Sequence, residues 1–265
     1  SDVCSSDLKT GKVHRAMFDP RSNGDHLAAY KALNRAFHRD PVEVGSELHR
    51  QLEVGVRDLF GNDEFKVVLA SSEAPSAGQA QTVYEFLEKA TKDPVVTKAF
   101  NGVEFTDELG SAKAGVYHAQ WDEGNLLINQ HALPLWQREI DDDVYADANG
   151  IARWQVARAP EHLIVHEAGH RLVKEILARK TSVEVFRPVE EAFADNGMPS
   201  PFEAIRLGPK ERAVDFATLE HLISTYAMHS TDEFFAETFT LTRTMPEHPV
   251  SRMLKPVYDE WLKEL

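Results

Sequence analysis

Residues 160–178 read PEHLIVHEAGHRLVKEILA, and they hold the most informative pattern of the chain. Its apolar residues recur at helical spacing, and Pro160 suits the first position of a helix. Residues 166–170 form the pattern HExxH within it. Four residues are just over one helical turn, so His166 and His170 project from one face and can share one metal ion. The stretch therefore predicts a metal-binding helix.

Glu167 is the candidate general base of this pattern. It is rotated by about 100° from His166 around the helix axis, which sets its carboxylate beside the metal, where it can take a proton from water. We expect one zinc ion per chain, because zinc is tetrahedral, redox-inert and suited to imidazole and carboxylate ligands. The alternative is an amphipathic helix with two histidines on its polar face. Gly169 disfavours that alternative, since glycine inside a helix costs about 1 kcal/mol and indicates close approach.

A later segment supplies a candidate third ligand. Residues 233–237 read EFFAE, with two glutamates four residues apart on one helical face. Such carboxylates repel each other unless a cation or a hydrogen-bond donor lies between them. A zinc ion at Glu233 would supply the cation, and an imidazole N–H at Glu237 would supply the hydrogen-bond donor. A third histidine farther along the first helix is excluded, since Val173 and Ile176 occupy the positions that such an extended motif needs. An exposed acidic face of a core helix is the alternative.

Together, residues 166–170 (HEAGH) and 226–239 (YAMHSTDEFFAETF) resemble the catalytic domain of anthrax lethal factor, a gluzincin-type zinc metallopeptidase. Related domains occur in phage head-morphogenesis proteins and polymorphic toxins. The resemblance covers about residues 160–245. The roles that it implies are zinc ligation by His166, His170 and Glu233, general-base catalysis by Glu167, a catalytic phenol at Tyr226, and support behind a ligand at Glu237.

Two features near these motifs differ from the family pattern or allow another interpretation. Tyr226 also fits an apolar helical stripe, so a plain core tyrosine is the alternative to a catalytic phenol. The 62 residues between His170 and Glu233 are a longer separation than the family pattern has. Residues 186–209 lie there and contain four prolines, so we predict a long loop or lid over them.

The chain before residue 160 predicts a small sheet. Residues 65–69 (FKVVL) predict a strand, and residues 115–130 (GVYHAQWDEGNLLINQ) predict a hairpin. We expect residues 125–130 (NLLINQ) to be an edge strand that holds substrate by backbone pairing. Further helices are predicted over about 25–40, 44–60, 80–91, 210–224, 232–244 and 250–264. The expected fold class is α+β, a zincin-like metallopeptidase with a small mixed sheet, an active-site helix and a C-terminal helical part.

Composition and charge limit the partners. The 265 residues include 43 acidic side chains against 29 of lysine and arginine, a formal net charge of −14. This balance argues against nucleic acid as a partner, because phosphate binding demands clustered basic residues. No stretch reaches the roughly 18 consecutive apolar residues of a membrane span. A single cysteine, Cys4, excludes an intrachain disulfide and a cysteine-based metal site.

The predicted domain organisation has three parts. Residues 1–8 (SDVCSSDL) resemble translated sequencing-adapter sequence, and we expect them to be a non-native artefact. Residues 9–60 are predicted to be a helical N-terminal segment, and residues 61–265 a zincin-like catalytic domain.

The predicted function is that of a zinc-dependent endopeptidase that hydrolyses peptide bonds of a protein or peptide substrate. The alternative is a non-catalytic phage minor head or structural module with a stabilising or vestigial metal site. Glu167 disfavours it, because a structural site needs no base. The resemblance implies phage capsid or toxin-delivery components as further partners. We expect a soluble protein, and the resemblance is compatible with a secreted or virion-associated location.

Overall fold

The structure is a computed structural model. It describes residues 41–70, 74–106, 119–122, 124–130, 133–211 and 213–264. The predicted artefact over residues 1–8, the predicted helix over 25–40 and the start of the predicted hairpin lie outside the described residues. Helices dominate the rest and surround one small sheet, so the α+β class is confirmed.

Helices make up most of the described chain. They are α1 (Glu47–Phe60), α2 (Ala77–Ala90), α3 (Pro94–Ala99), α4 (Leu133–Ala148), α5 (Pro160–Arg179), α6 (Ser182–Asp195), α7 (Pro201–Glu211), α8 (Ala213–Leu222), α9 (Thr231–Thr244) and α10 (Pro249–Leu262). A 3₁₀ turn, Tyr226–Met228, precedes α9. Among the described helices, none combines the length and the apolar character needed to cross a membrane.

The sheet is mixed, as predicted. Its strands are β1 (Lys66–Leu69), β2 (Gly102–Thr106), β3 (Ala119–Asp122) and β4 (Asn125–Asn129), in the order β1-β2-β4-β3. The first three strands in that order pair in parallel, whereas β3 and β4 pair antiparallel. The antiparallel pair confirms the described part of the predicted hairpin.

The predicted edge strand is wrong, because β4 lies inside the sheet. It pairs with β2 on one side, in a register that joins Gly102 to Asn125, and with β3 on the other. Leu126 and Ile128 on β4 are fully buried. Among the described strands, β3 is the edge on that side of the sheet. The hairpin pattern does not predict this position, because it does not indicate which of the two strands pairs with a further strand.

The long loop predicted over residues 186–209 is also wrong, because α6 and α7 occupy most of this stretch, and its role as a lid stays a prediction. Val185, Val189 and Phe193 follow helical spacing on α6 and are fully buried. Pro201 is the first residue of α7, a position where proline fits a helix. The number of prolines therefore did not indicate a loop, because a proline at the first position of a helix is compatible with that helix.

Helix α5 lies at the centre of the fold. It packs along α9 and also contacts α2, α3 and β3. A Cβ atom at Gly169 would lie 3.0 Å from Ala236 Cα and 3.1 Å from Phe239 Cδ1, so glycine allows the two helices to approach closely. This contact explains the glycine inside HExxH, and it sets the first turns of α9 beside the two histidines.

Helix α1 contributes to the same hydrophobic core as the sheet. Leu52, Val56 and Phe60 are buried in it, and the ring of Phe60 stacks on that of Phe65 at 4.1 Å. The described part of the predicted segment 9–60, residues 41–60, thus packs against the chain beyond residue 60. The division into an N-terminal segment and a catalytic domain stays a prediction.

Candidate metal centre

The three predicted ligands converge where α5 meets α9. His166 Nε2 lies 3.1 Å from His170 Nε2 and 3.1 Å from Glu233 Oε2, and the remaining edge, His170 Nε2 to Glu233 Oε2, is 3.4 Å. Tetrahedral zinc with ligands at about 2.0–2.1 Å holds neighbouring ligand atoms roughly 3.3 Å apart. The triangle formed by these atoms therefore matches one face of a zinc tetrahedron.

The Nδ1 side of the His166 ring faces away from this triangle. His166 Nδ1 lies 2.8 Å from Glu237 Oε1, and a carboxylate can only accept a proton or a hydrogen bond. A neutral ring that carries its hydrogen on Nδ1 would turn the Nε2 lone pair towards His170 and Glu233. Two imidazoles and one carboxylate directed at one point form a donor set that suits zinc.

Glu237 is held from behind by the protein. Its side chain is only 2% exposed, and Oε2 accepts hydrogen bonds from the Val156 backbone N–H at 2.7 Å and from Ser224 Oγ at 2.6 Å. Oε1 is left to face His166. A ligand imidazole oriented by a fixed carboxylate is a recurrent feature of zinc sites, so the geometry agrees with the supporting role expected for Glu237.

Tyr226 lies at the metal centre and is half-buried. Its hydroxyl donates to Glu233 Oε1 at 3.0 Å, and its ring stacks on His166 with the centroids 5.8 Å apart. Burial, followed by the negative charge of Glu233, raises the pKa of the Tyr226 phenol, so the phenol stays a proton donor at neutral pH. The structure thus brings Tyr226 to a predicted ligand.

Glu167 belongs to the same cluster without closing the triangle. One ligand atom each from His166, Glu167 and His170 lies within 4.8 Å of the others, and Glu167 is 8% exposed. Glu233 Oε2 is nearer to both imidazoles, at 3.1 and 3.4 Å. Glu233 is therefore the better placed candidate for a third ligand, and Glu167 is an acid beside the triangle.

The charges at this centre favour a cation. Burial alone would raise the pKa of Glu233, but the hydrogen bonds and charges of His166 and His170 outweigh it and hold that pKa well below its usual range. Burial likewise works against a charged His166, yet the carboxylates of Glu233 and Glu237 raise its pKa well above the ordinary value. A metal ion that binds here takes the place of a proton.

A short irregular segment, residues 153–156, lies behind the site, and no pattern in the sequence predicted its role. The backbone carbonyl of Arg153 accepts from Thr225 N at 2.9 Å, and that of Trp154 accepts from Tyr226 N at 2.8 Å. Arg153 is buried, and its Nε donates to Ile223 O at 2.8 Å. The segment thus fixes the chain that carries Tyr226.

Asp143 on α4 anchors this segment in turn. Its carboxylate accepts from Trp154 N at 2.6 Å and from Gln155 N at 3.4 Å. Burial raises the pKa of Asp143 to about 6, although these two backbone donors act to lower it. The only signal in the sequence was an arginine and a tryptophan in a connection between helices, which fits no periodic pattern.

The other histidines have varied surroundings. His229 packs against the rings of Trp154 and Tyr226, and His221 is exposed. His162 Nδ1 accepts from the Arg158 backbone N–H at 3.1 Å, so this histidine helps to begin α5.

Comparison with known proteins adds no assignment. No protein-family model, no curated protein and no solved structure matches this chain.

Proposed function

We propose that the chain is a zinc-dependent endopeptidase of the zincin type, with a site similar to that of the lethal factor catalytic domain. The observation that carries the proposal is the triangle of His166, His170 and Glu233, with Glu167 as a separate acid beside it. Structural zinc sites use four protein ligands, whereas catalytic sites use three and keep one position for water or substrate. Three converging ligands with a neighbouring carboxylate favour the catalytic kind.

The residues around the centre have distinct tasks in peptide hydrolysis. When bound, zinc supplies an acidified water and polarises the scissile carbonyl. Glu167 takes the proton of the attacking water on its carboxylate and passes it to the leaving amine. The protonated hydroxyl of Tyr226 is a hydrogen-bond donor for negative charge that develops on the substrate oxygen. Glu237 keeps His166 in the orientation that the metal requires.

Strand β3 is the proposed docking edge for the substrate backbone. It is the outer strand beside β4, and it contacts α5, the helix of HExxH. An extended peptide can add to such an edge through main-chain hydrogen bonds without a particular sequence. Strand β3 thus takes the role that the sequence predicted for residues 125–130, which lie inside the sheet.

The test is to load the protein with zinc, determine its metal content by elemental analysis, and incubate it with a mixed peptide library. We expect one zinc per chain and cleavage that a chelator abolishes. Glu167→Gln should keep the zinc and the fold while cleavage falls by about 10²–10⁴-fold. Glu175→Gln is the matched control, because Glu175 lies on the same helix and pairs with Arg171 instead.

The possible outcomes separate the candidate functions. Stoichiometric zinc without cleavage of any library member would favour the structural module. Unchanged cleavage by Glu167→Gln would remove this residue as the base. Failure to bind zinc would contradict the proposal altogether.

A further inference from the structure

Three aromatic rings form a compact group beside the metal centre, which we call the aromatic platform: Trp154, Tyr226 and His229. The centroid of Trp154 lies 5.5 Å from that of Tyr226 and 5.1 Å from that of His229, and the remaining distance is 5.6 Å. The Trp154 residue is 50% exposed, and His229 is exposed as well. So much exposed aromatic surface beside a polar centre calls for an explanation.

The platform is continuous with the site. Tyr226 stacks on Trp154 with an interplanar angle of 28° and on His166 with an angle of 22°. A nearly parallel series of rings thus leads from a proposed zinc ligand outward to solvent. A group that rests on the exposed part of Trp154 is separated from His166 by the single ring of Tyr226.

Trp154 is held by its backbone, although half of the residue is exposed to solvent. The backbone N–H of Trp154 donates to Asp143 Oδ1 at 2.6 Å, and its backbone carbonyl accepts from Tyr226 N at 2.8 Å. The indole packs against the rings of Tyr226 and His229, so it needs little further ordering when a partner binds. A rigid aromatic group that binds with little loss of entropy is a good recognition element.

Two further apolar side chains are exposed between the start of α4 and Trp154 along the chain. Tyr145 is 68% exposed and Ile151 is 58% exposed. The Ile151 N–H donates to Ala146 O at 3.0 Å, which brings the connection back onto the end of α4 beside Tyr145.

We propose that the aromatic platform is a substrate subsite that takes an aromatic or large apolar side chain next to the scissile bond. This inference rests on the proposed peptidase function, and it names the substrate class as polypeptides with such a residue. The ring of that side chain would stack on Trp154, an arrangement that aromatic pairs favour.

The first experiment compares zinc-loaded wild type, Trp154→Ala and Trp154→Phe on library peptides. For peptides with an aromatic residue at the subsite, Trp154→Ala should raise KM about tenfold, with kcat and zinc content much less affected. Trp154→Phe should recover most of this loss, since phenylalanine keeps an aromatic face. Val214→Ala, which removes part of an exposed apolar side chain on α8, should change neither constant.

Two results would overturn the inference. One is an unchanged KM and residue preference in Trp154→Ala. The other is a loss confined to kcat for all peptides that adds nothing to the loss in Tyr226→Phe, because Trp154 would then act only through Tyr226.

A binding experiment separates failure of the subsite from failure of the peptidase proposal. Peptides retained by immobilised, zinc-loaded Glu167→Gln are sequenced, and the double variant with Trp154→Ala is treated in the same way. Aromatic enrichment that disappears with Trp154→Ala supports the subsite even if wild type cleaves nothing. Equal enrichment on both proteins contradicts the subsite even if cleavage is observed.

Discussion

The two ends of α9 hold charged side chains in opposite ways. At its C-terminal end, Arg243 forms a two-point contact with Asp93, with Nε 2.5 Å from Oδ2 and Nη2 2.7 Å from Oδ1. At its N-terminal end, Glu233 and Glu237 face the rings of His166 and His170. The first end brings a cation and an anion together, whereas the second brings carboxylates to imidazoles.

This difference shows which end of α9 is suited to bind a cation from outside the chain. The ion pair at the C-terminal end contains its own counterion. Among the described residues, no lysine or arginine lies within ion-pair distance of Glu233 or Glu237. The positive partners there are imidazoles, whose protons a metal ion can displace, so a bound cation can take over the charge that these carboxylates need. The C-terminal end is a structural contact, and the N-terminal end is the candidate for function.

The largest expected effect tests the N-terminal end directly. Glu233→Ala removes one of three ligands, so bound zinc should fall well below one per chain and cleavage should be lost. Elemental analysis after dialysis provides the measurement. Arg243→Met, at the other end of the helix, should keep stoichiometric zinc. Full zinc retention by Glu233→Ala would disprove the assignment of this ligand.

A smaller effect is expected one helical turn farther on. Glu237→Gln keeps the shape of the side chain but weakens its hold on His166, so zinc affinity or activity should fall about 10–100-fold. Competition with a chromophoric chelator measures the affinity. Asp232→Asn is the matched control, because Asp232 lies on the same helix and is exposed. Equal affinities in the two variants would show that Glu237 does not support the metal.

The C-terminal end should affect stability instead of zinc binding. Arg243→Met leaves Asp93, whose side chain is 14% exposed, without its cation. The free energy of unfolding of the metal-free protein should fall by about 1–3 kcal/mol, as measured in urea. The double variant Asp93→Asn/Arg243→Met should recover part of the loss. A fall in zinc affinity as large as that of Glu237→Gln would show that the two ends are coupled.

The smallest expected effect concerns pH and His248, which caps α10 just after α9 ends. Burial, aided by the charges of Arg153 and Arg158, lowers the pKa of His248 to about 4 from 6.5. The unfolded chain therefore takes up this proton first, and stability falls as the pH is lowered from 6.5 to about 4. Asp143 acts in the opposite sense, because its raised pKa of about 6 makes the folded form take up a proton first.

Comparison of His248→Asn with wild type isolates the contribution of His248. Asparagine keeps a capping side chain but does not titrate, so the variant should lose less stability than wild type between pH 7 and pH 4.5. Urea unfolding of both metal-free proteins at these two pH values is the measurement. Identical pH dependences would show that His248 has no part in the acid sensitivity.

Local pattern was enough to predict much of this protein. The helix that carries HExxH and the helix that carries Glu233 and Glu237 follow from spacing along the chain, since residues four apart share a helical face. The strand near residue 67 and the mixed sheet were predicted from local features too, namely a β-branched run and two extended runs that flank a turn. The close approach expected at Gly169 is also observed.

Errors arose where distant segments choose their partners. The sequence of β4 does not reveal that β2 pairs with its second side, and a count of prolines over residues 186–209 does not reveal which of them begin helices. The segment 153–156 acts through backbone groups, which every residue has, so its side chains gave little warning.

The candidate metal ligands and the helices that carry them follow from the order of residues, because helical geometry repeats over a few residues. The packing of the helices sets the rest: three of those atoms lie 3.1–3.4 Å apart, Glu237 stands behind His166, and Trp154 is half exposed beside Tyr226. These distances depend on how α5 packs on α9. That packing results from many apolar contacts between residues far apart in the chain.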